Sequence, residues 1–164
     1  MCGVPYHAAE IYISRLIAKG YKVAICEQLE DPALAKGIVK RDVTRVLTPG
    51  TVIESTMLDE GRNNYLCAIS QENERYGVCF ADASTGELHL TEISGTNPEK
   101  RVMDELGRFS PKEVLVSENI KSTQIETFVK DRMICTLTKR DKLSFDAAFT
   151  EEKVLKHFDT ISVR

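Results

Sequence analysis

A change of hydrophobic period partway along the chain constrains its fold more than any other feature of the sequence. Three strand-like segments, Tyr65–Ser70, Tyr76–Ala83 and Glu87–Ile93, follow one another with polar connections of hairpin length. This spacing predicts an antiparallel meander of three strands. Beyond Ile93 the apolar residues recur at helical spacing, so we expect helices that alternate with short strands.

The helical pattern continues almost to the last residues of the chain. Asn97-Pro98 predicts the start of a helix whose apolar face holds Val102, Leu106 and Phe109. The following elements are a strand at Lys112–Ser117, a helix from a capping box at Thr123–Glu126 to about Lys130, a strand at Met133–Leu137, and a helix at Thr150–Phe158 with Val154, Leu155 and Phe158 inward. The order β, β, β, α, β, α, β, α predicts an α/β fold with a mixed sheet, in the layout of ribonuclease H-like folds.

A small mixed α/β piece is predicted before the meander. A helix from about Ala8 to Lys19 places Ala9, Ile13, Leu16 and Ile17 on one stripe, and Gly20 ends it. Lys22–Cys26 is short and wholly apolar in its last four residues, which predicts a strand buried on both faces. Asp31-Pro32 predicts a short helix that ends at Gly37, and a second strand follows at about Val39–Leu47.

The apolar residues between Val52 and Asn63 follow neither helical nor strand spacing, so this segment is the candidate linker between two folding units. We therefore divide the chain into residues 1–57 and residues 58–164. The sequence ends directly after its last predicted helix, and we expect the second unit to be truncated at that end. Apolar surface that a further segment would cover is then expected to be exposed.

Composition excludes several classes of protein. The chain of 164 residues is 42% hydrophobic and 29% charged, which is typical of a globular protein. Its longest apolar runs fall well short of the ~18 to 20 residues of a membrane span, so we expect no membrane association and a cytoplasmic location. The five cysteines form no C-x-x-C pair, which favours buried free thiols over a metal site.

Basic residues cluster in the first unit. Residues 1–57 hold seven Lys or Arg against six Asp or Glu (+1), whereas residues 58–164 hold fifteen against nineteen (−4). Lys36, Lys40, Arg41 and Arg45 lie within ten residues, a local density suited to phosphate contact. The alternative is an ordinary solvated face. Arg41 and Arg45 are an even number of residues apart on one strand, so we expect both side chains on the same face.

Catalytic motifs are absent from the sequence. A ribonuclease H-like nuclease needs convergent acids that hold two metal ions, but the first meander strand has no acid at Tyr65–Ile69. Asp82 precedes Ser-Thr-Gly, a setting in which an aspartate usually closes a turn. No G-x-x-x-x-G-K-[ST] or G-x-S-x-G occurs, and each histidine lacks a spaced partner. We expect no catalysis and no metal, with a metal-dependent nuclease as the alternative.

A series of short strings carries a resemblance to a known family. They are Gly3-Val-Pro-Tyr-His7, Gly20-Tyr-Lys-Val-Ala-Ile-Cys-Glu-Gln28, Asp31-Pro32, Lys36-Gly37, Arg41-Asp-Val-Thr-Arg45 and Leu47-Thr-Pro-Gly-Thr51. In this order and at these distances they resemble the latter half of the mismatch-binding domain of the MutS family of DNA mismatch-recognition proteins. Residues from about Leu58 onward are similar to the connector domain of that family, which has a ribonuclease H-like fold without the nuclease acids.

The resemblance implies a non-catalytic fragment of a mismatch-repair protein that contacts the DNA backbone. It implies a phosphate contact at Arg41 and an approach to DNA at His7, to which charge alone adds Lys36 and Arg45. The Phe-x-Glu element that reads the mispaired base in this family lies upstream of Gly3, so we expect no mismatch reader in the chain. Further implications are a MutL-type partner bound through the connector, a homodimeric parent with weak DNA-dependent ATPase activity, and ATP and Mg²⁺ bound in a separate ATPase domain.

Overall fold

The computed structural model describes residues 3–31, 37–59 and 61–162. Its helices are α1 (Tyr6–Ala18), α2 (Pro98–Phe109), α3 (Thr123–Arg132) and α4 (Ala147–Phe158), with 3-10 turns at Ser55–Met57 and Lys142–Phe145. Its strands are β1 (Val23–Gln28), β2 (Arg41–Leu47), β3 (Tyr65–Glu72), β4 (Arg75–Asp82), β5 (Glu87–Ile93), β6 (Glu113–Ser117) and β7 (Thr136–Arg140). The described part of the chain contains no helix that is both long and apolar enough to cross a membrane.

The N-terminal unit, as we call the elements from α1 to the 3-10 turn at Ser55–Met57, has one helix among its described residues, packed on a two-stranded antiparallel sheet. Its small core contains Ile17, Leu47 and Val52, with Val23 and Ile25 packed against it. Gly20 ends α1 with a φ of +81°, a conformation that side-chain-bearing residues rarely adopt. The short helix expected at Asp31-Pro32 lies largely outside the described residues.

The outer face of β1 is exposed, so the prediction of a strand buried on both faces was wrong. Val23 and Ile25 face the α1 side, whereas Ala24 and Cys26 alternate with them and are exposed. Cys26 is therefore not the buried thiol that its apolar neighbours suggested. A run of apolar residues also occurs in a strand that has a helix on one face only, and periodicity alone does not distinguish the two cases.

A β-bulge in β2 separates two side chains that the sequence placed together. Arg41 lies opposite Gln28 and Arg45 lies opposite Ile25, because the register shifts between Ile25 and Cys26. Positions 25 and 28 have opposite parity on β1, so the two arginines project from opposite faces. The predicted common face was wrong, since one extra residue in a strand reverses the alternation beyond it.

The C-terminal unit, as we call the elements from β3 onward, is built on a five-stranded sheet in the order β5-β4-β3-β6-β7. β3, β4 and β5 pair in antiparallel fashion, which confirms the predicted meander. β6 pairs parallel to β3, and β7 pairs parallel to β6. The protein therefore has the α/β architecture expected from the sequence, with one antiparallel and one mixed sheet.

The main core lies between this sheet and helices α2 and α3. Val102 and Leu106 are fully buried, and the ring of Phe109 stacks on Phe80 with 4.1 Å between centroids. Tyr65 meets Phe109 edge-on at 5.3 Å. The predicted apolar face of α2 is thus confirmed, and an aromatic cluster of this kind stabilises a core by more than its buried area alone.

The observed starts of α3 and β7 differ from the predicted ones. The N-cap of α3 is Ser122, whose hydroxyl accepts the N–H of Ile125 at 3.3 Å, so the capping box assigned to Thr123 was wrong. Glu126 instead pairs with Lys139 at 2.7 Å on the neighbouring strand. β7 begins three residues later than predicted, because pairing with β6 rather than apolar content decides where a strand starts.

Helix α4 begins before the predicted Thr150 and is not inward-facing along its length. Phe158 is 61% exposed and Val154 is 39% exposed, which contradicts their predicted burial. The helix packs mainly against the preceding 3-10 turn. An amphipathic pattern shows which side of a helix is apolar, and burial additionally needs an element to cover that side.

Candidate nucleic-acid interface

Arg41 stands on the exposed outer face of the N-terminal unit, at the start of β2. Val43 and Val46 share this face, since they lie opposite Cys26 and Ala24. Within the described part of the chain, no ion pair involves Arg41. Asp42, a candidate partner, instead accepts the N–H of Val43 at 2.7 Å. The guanidinium of Arg41 is thus placed to meet an external anion.

Arg45 is engaged within the protein. Its guanidinium lies 2.5 Å from the carboxylate of Glu54, on the α1 side of the small sheet. Burial opposes ionisation of Glu54, but hydrogen bonds from its own N–H, from Arg45 and from the N–H of Ile53 outweigh this effect and lower its pKa. Arg45 therefore differs from Arg41 in both direction and pairing.

The two other predicted contact residues are placed differently. His7 is exposed in the first turn of α1. Lys36 lies outside the described residues. Arg41 and Arg45 project from opposite faces of the small sheet, so the structure does not bring these two candidates together.

Asp82 closes a turn, as its sequence setting predicted. Its carboxylate accepts the N–H of Ser84 at 2.9 Å and the hydroxyl of Ser84 at 2.6 Å, and it also accepts the N–H of Asn64 at 2.9 Å. Burial opposes ionisation, but the bonds from Ser84, Asn64 and Thr85 outweigh it and lower the pKa of Asp82. The bond to Asn64, eighteen residues away, was not visible in the sequence.

A side-chain network on the meander was also missed by the sequence analysis. His89 Nε2 lies 2.6 Å from Glu87 Oε1, and the hydroxyl of Tyr65 donates to Glu87 Oε2 at 3.0 Å. The His89 contact and the Tyr65 bond lower the pKa of Glu87. The prediction that each histidine lacks a spaced partner was wrong, because residues two apart on a strand share a face.

The arrangement of acids does not support the nuclease alternative. Strand β3 carries no acid in its centre. Asp82 is saturated by backbone and hydroxyl donors, and Glu113 accepts from Thr138 at 2.7 Å. Among the described residues, no group of three or more His, Cys, Asp or Glu side chains is positioned to hold a metal ion.

One Phe-x-Glu triplet does occur in the chain, at Phe149-Thr150-Glu151. It lies in the first half of α4 in the C-terminal unit, with Lys153 over the Phe149 ring at 4.2 Å. The resemblance places the mismatch-reading element upstream of Gly3, so the position of this triplet differs from that of the reader.

Comparison with known proteins assigns both units to one family. The family model described as MutS domain I matches residues 1–56, and the model described as MutS domain II matches residues 64–164.

Curated relatives match almost the whole chain. A protein named DNA mismatch repair protein MutS from Acetivibrio thermocellus is 48% identical over 164 residues, which covers 96% of this chain and 18% of the relative. Proteins of the same name are 50% identical over 142 residues in Clostridium novyi (87% of this chain, 15% of the relative) and 44% identical over 160 residues in Ruminiclostridium cellulolyticum (97% and 18%). The chain thus spans less than a fifth of the length of these relatives, and it belongs to the MutS family, of which it contains domains I and II.

Proposed function

We propose that this chain contacts the DNA backbone through the outer face of its N-terminal unit, as part of a MutS protein that acts in mismatch repair. The observation that carries the proposal is Arg41, an exposed guanidinium with no ion pair among the described residues. Arg-to-phosphate contacts supply affinity without reading sequence. His7 and Lys36 are secondary candidates. Arg45 is the weakest candidate, because its guanidinium already forms an ion pair with Glu54.

For the C-terminal unit we propose a ribonuclease H-like connector without nuclease activity. The three-stranded antiparallel meander followed by two parallel strands with helical crossovers supports this description. The lack of an acid in the centre of β3 supports a connecting role over metal-dependent hydrolysis.

The remaining proposals follow from the family. We propose a domain boundary between residues 57 and 58, a MutL-type partner that binds the C-terminal unit, a homodimeric cytoplasmic parent, and ATP and Mg²⁺ bound in a separate ATPase domain. The name of the relatives, DNA mismatch repair protein MutS, supports the repair role.

The experiment compares Arg41→Glu with the unchanged sequence in the full-length parent protein. Matched and mispaired duplexes are titrated at several salt concentrations. If Arg41 meets a phosphate, affinity falls about equally for both duplexes, and the slope of log affinity against log salt becomes shallower by roughly 0.9. Discrimination between the duplexes is retained, because a backbone contact carries no base information.

Arg75→Glu is the matched control, since it makes the same charge change on the exposed β3–β4 hairpin of the C-terminal unit. It is expected to leave the salt slope unchanged. An unchanged slope and affinity in Arg41→Glu would remove Arg41 from the contact surface. The 164-residue chain alone is expected to prefer a mispaired duplex by less than about tenfold, which corresponds to ~1.4 kcal/mol. A larger preference would place a mismatch reader within this chain.

A further inference from the structure

The carboxylate of Glu113 is buried where the two units meet. It lies at the start of β6 and is 1% exposed. Thr138 Oγ1, from the neighbouring strand β7, donates to Glu113 Oε1 at 2.7 Å. A single hydroxyl does not compensate a buried carboxylate, which needs an opposite charge or several donors.

The remaining partners of Glu113 come from the N-terminal unit. Lys22 Nζ lies 3.5 Å from Oε1, and the N–H of Gly50 points at Oε2 with 3.4 Å between nitrogen and oxygen. Lys22 precedes β1 and Gly50 follows β2, and because Val23 pairs with Leu47 the carboxylate contacts both strands at the same end of the small sheet. If the units separated, Glu113 would lose its cation and one of its two hydrogen-bond donors.

The backbone of the N-terminal unit approaches the large sheet too closely for a side chain at Gly50. A Cβ there would lie 2.9 Å from Leu66 Cδ1 and 3.0 Å from Glu113 Cβ. Contacts this short force a shift of the neighbouring atoms. Gly50 thus serves two purposes, a turn residue after β2 and a point of close contact between the units.

Two further hydrogen bonds cross the same junction. The hydroxyl of Thr136 on β7 donates to the carbonyl of Gly20 at 3.1 Å, and the side-chain amide of Asn64 donates to the carbonyl of Pro49 at 3.0 Å. Both acceptors are backbone carbonyls next to the ends of β1 and β2. The contacts therefore hold one end of the small sheet, where β1 begins and β2 finishes, whereas Arg41 lies on the outer face at the other end, opposite Gln28.

We infer that Glu113 is a positioning residue that fixes the orientation of the N-terminal unit, and with it the Arg41 face, on the sheet of the C-terminal unit. Its functional consequence rests on the proposed DNA contact, whereas the fixed orientation itself does not. Glu113 acts through Lys22 and Gly50 and touches no DNA.

The test measures the relative orientation of the units in the 164-residue chain by residual dipolar couplings. In the unchanged protein, one alignment tensor is expected to fit the amides of β1–β2 and those of β3–β7. Glu113→Gln removes the charge at nearly constant shape, and a common tensor is expected to be lost. The exchange rate of the Gly50 amide is expected to rise about tenfold, equivalent to ~1.4 kcal/mol.

Lys22→Met tests the same contact from the other unit. Lys22 is 42% exposed, so this variant is expected to fold, and the Gly50 amide is expected to exchange about threefold faster, in line with a partly screened ion pair. The double variant is expected to add little to Glu113→Gln. If Glu113 only stabilised the C-terminal core, Glu113→Gln would raise amide exchange in β3 and β4. Lys22→Met would then not have the same effect.

Glu126→Gln is the matched control, because Glu126 pairs with Lys139 and Lys130, both within the C-terminal unit. It is expected to keep the common tensor. Retention of that tensor in both Glu113→Gln and Lys22→Met would overturn the inference. If Arg41→Glu leaves the salt slope unchanged while Glu113→Gln loses the common tensor, the DNA contact alone is refuted. If Arg41→Glu alters the salt slope while Glu113→Gln and Lys22→Met keep the common tensor, the positioning role alone is refuted.

Discussion

The two units bury their apolar side chains to different degrees. Among the described residues, the core of the N-terminal unit has three buried apolar side chains, whereas the core of the C-terminal unit has thirteen. Most of the exposed large hydrophobic residues, from Val4 to Ile53, nevertheless lie in the smaller unit. One helix on two strands encloses little volume, and a two-stranded sheet is marginal by itself. We therefore expect the N-terminal unit to depend on its junction with the larger sheet.

Truncation of a core residue in each unit is the strongest way to sharpen this contrast. Phe80→Ala removes a ring that is 1% exposed and stacked on Phe109, and we expect a loss of about 3–5 kcal/mol in the free energy of unfolding. Leu47→Ala is expected to cost about 2–3 kcal/mol, with the opening confined to residues 1–57.

Urea unfolding followed by circular dichroism and residue-resolved hydrogen exchange measures both effects. Phe80→Ala is expected to lower protection in both units, because the smaller unit loses its support. Equal loss of protection in β3 and β4 on Leu47→Ala would show that the two units unfold as one, and the contrast between them would then disappear.

The buried aspartate at the end of β4 gives a pH-dependent prediction. Asp82→Asn is expected to cost about 1–3 kcal/mol at neutral pH, because one or more donors from Ser84 and Asn64 lose a charged acceptor. The pKa of Asp82 is lowered in the folded chain, so its contribution is present above its unfolded value near 3.8 and is lost as the pH falls through the folded value.

Thermal unfolding from pH 7 down to pH 3 tests this sign. The difference between Asp82→Asn and the unchanged protein is expected to shrink below about pH 4. Glu126→Gln removes a carboxylate from the surface of the same unit and serves as a comparison. It is expected to lower the stability at neutral pH by less than Asp82→Asn does. A difference for Asp82→Asn that stays constant across the range would show that the charge of Asp82 contributes nothing.

An exposed apolar strip on β5 is expected to cause weak self-association, a smaller effect than the changes in stability above. Leu90 is 74% exposed, and Leu88 is half exposed on the same side of the strand. We expect weak self-association at high protein concentration, and Leu90→Lys is expected to weaken it by about 1–2 kcal/mol. Sedimentation over a wide concentration range measures this, and a monomer throughout would contradict it.

The smallest expected effects concern the two arginines of β2. Arg45→Gln is expected to reduce stability by at most about 1 kcal/mol, because its pair with Glu54 is partly exposed. Arg41→Gln is expected to stay within about 0.5 kcal/mol of the unchanged protein. Thermal unfolding at low and high salt separates the two, and a salt-dependent loss in Arg41→Gln would reveal an internal partner.

The sequence alone was sufficient for the order and type of most elements of the larger unit. The polar connections at residues 71–74 and 84–86 and the period-two segments predicted the meander, since hairpins depend on neighbouring residues. The apolar face of α2 and the turn at Asp82 were equally local and were confirmed. The MutS strings between Gly3 and Thr51 identified the family because their order and spacing are specific as a set.

Only the tertiary structure decided the features that depend on distant partners. The bulge that turns Arg41 away from Arg45 arises from pairing with β1, and the start of β7 arises from pairing with β6. Gly20 and Thr136 are 116 residues apart in the chain, yet they share a hydrogen bond at the junction. Periodicity reports the local environment of a residue, whereas the partner of a buried charge such as Glu113 is set by how two units pack, which no local pattern encodes.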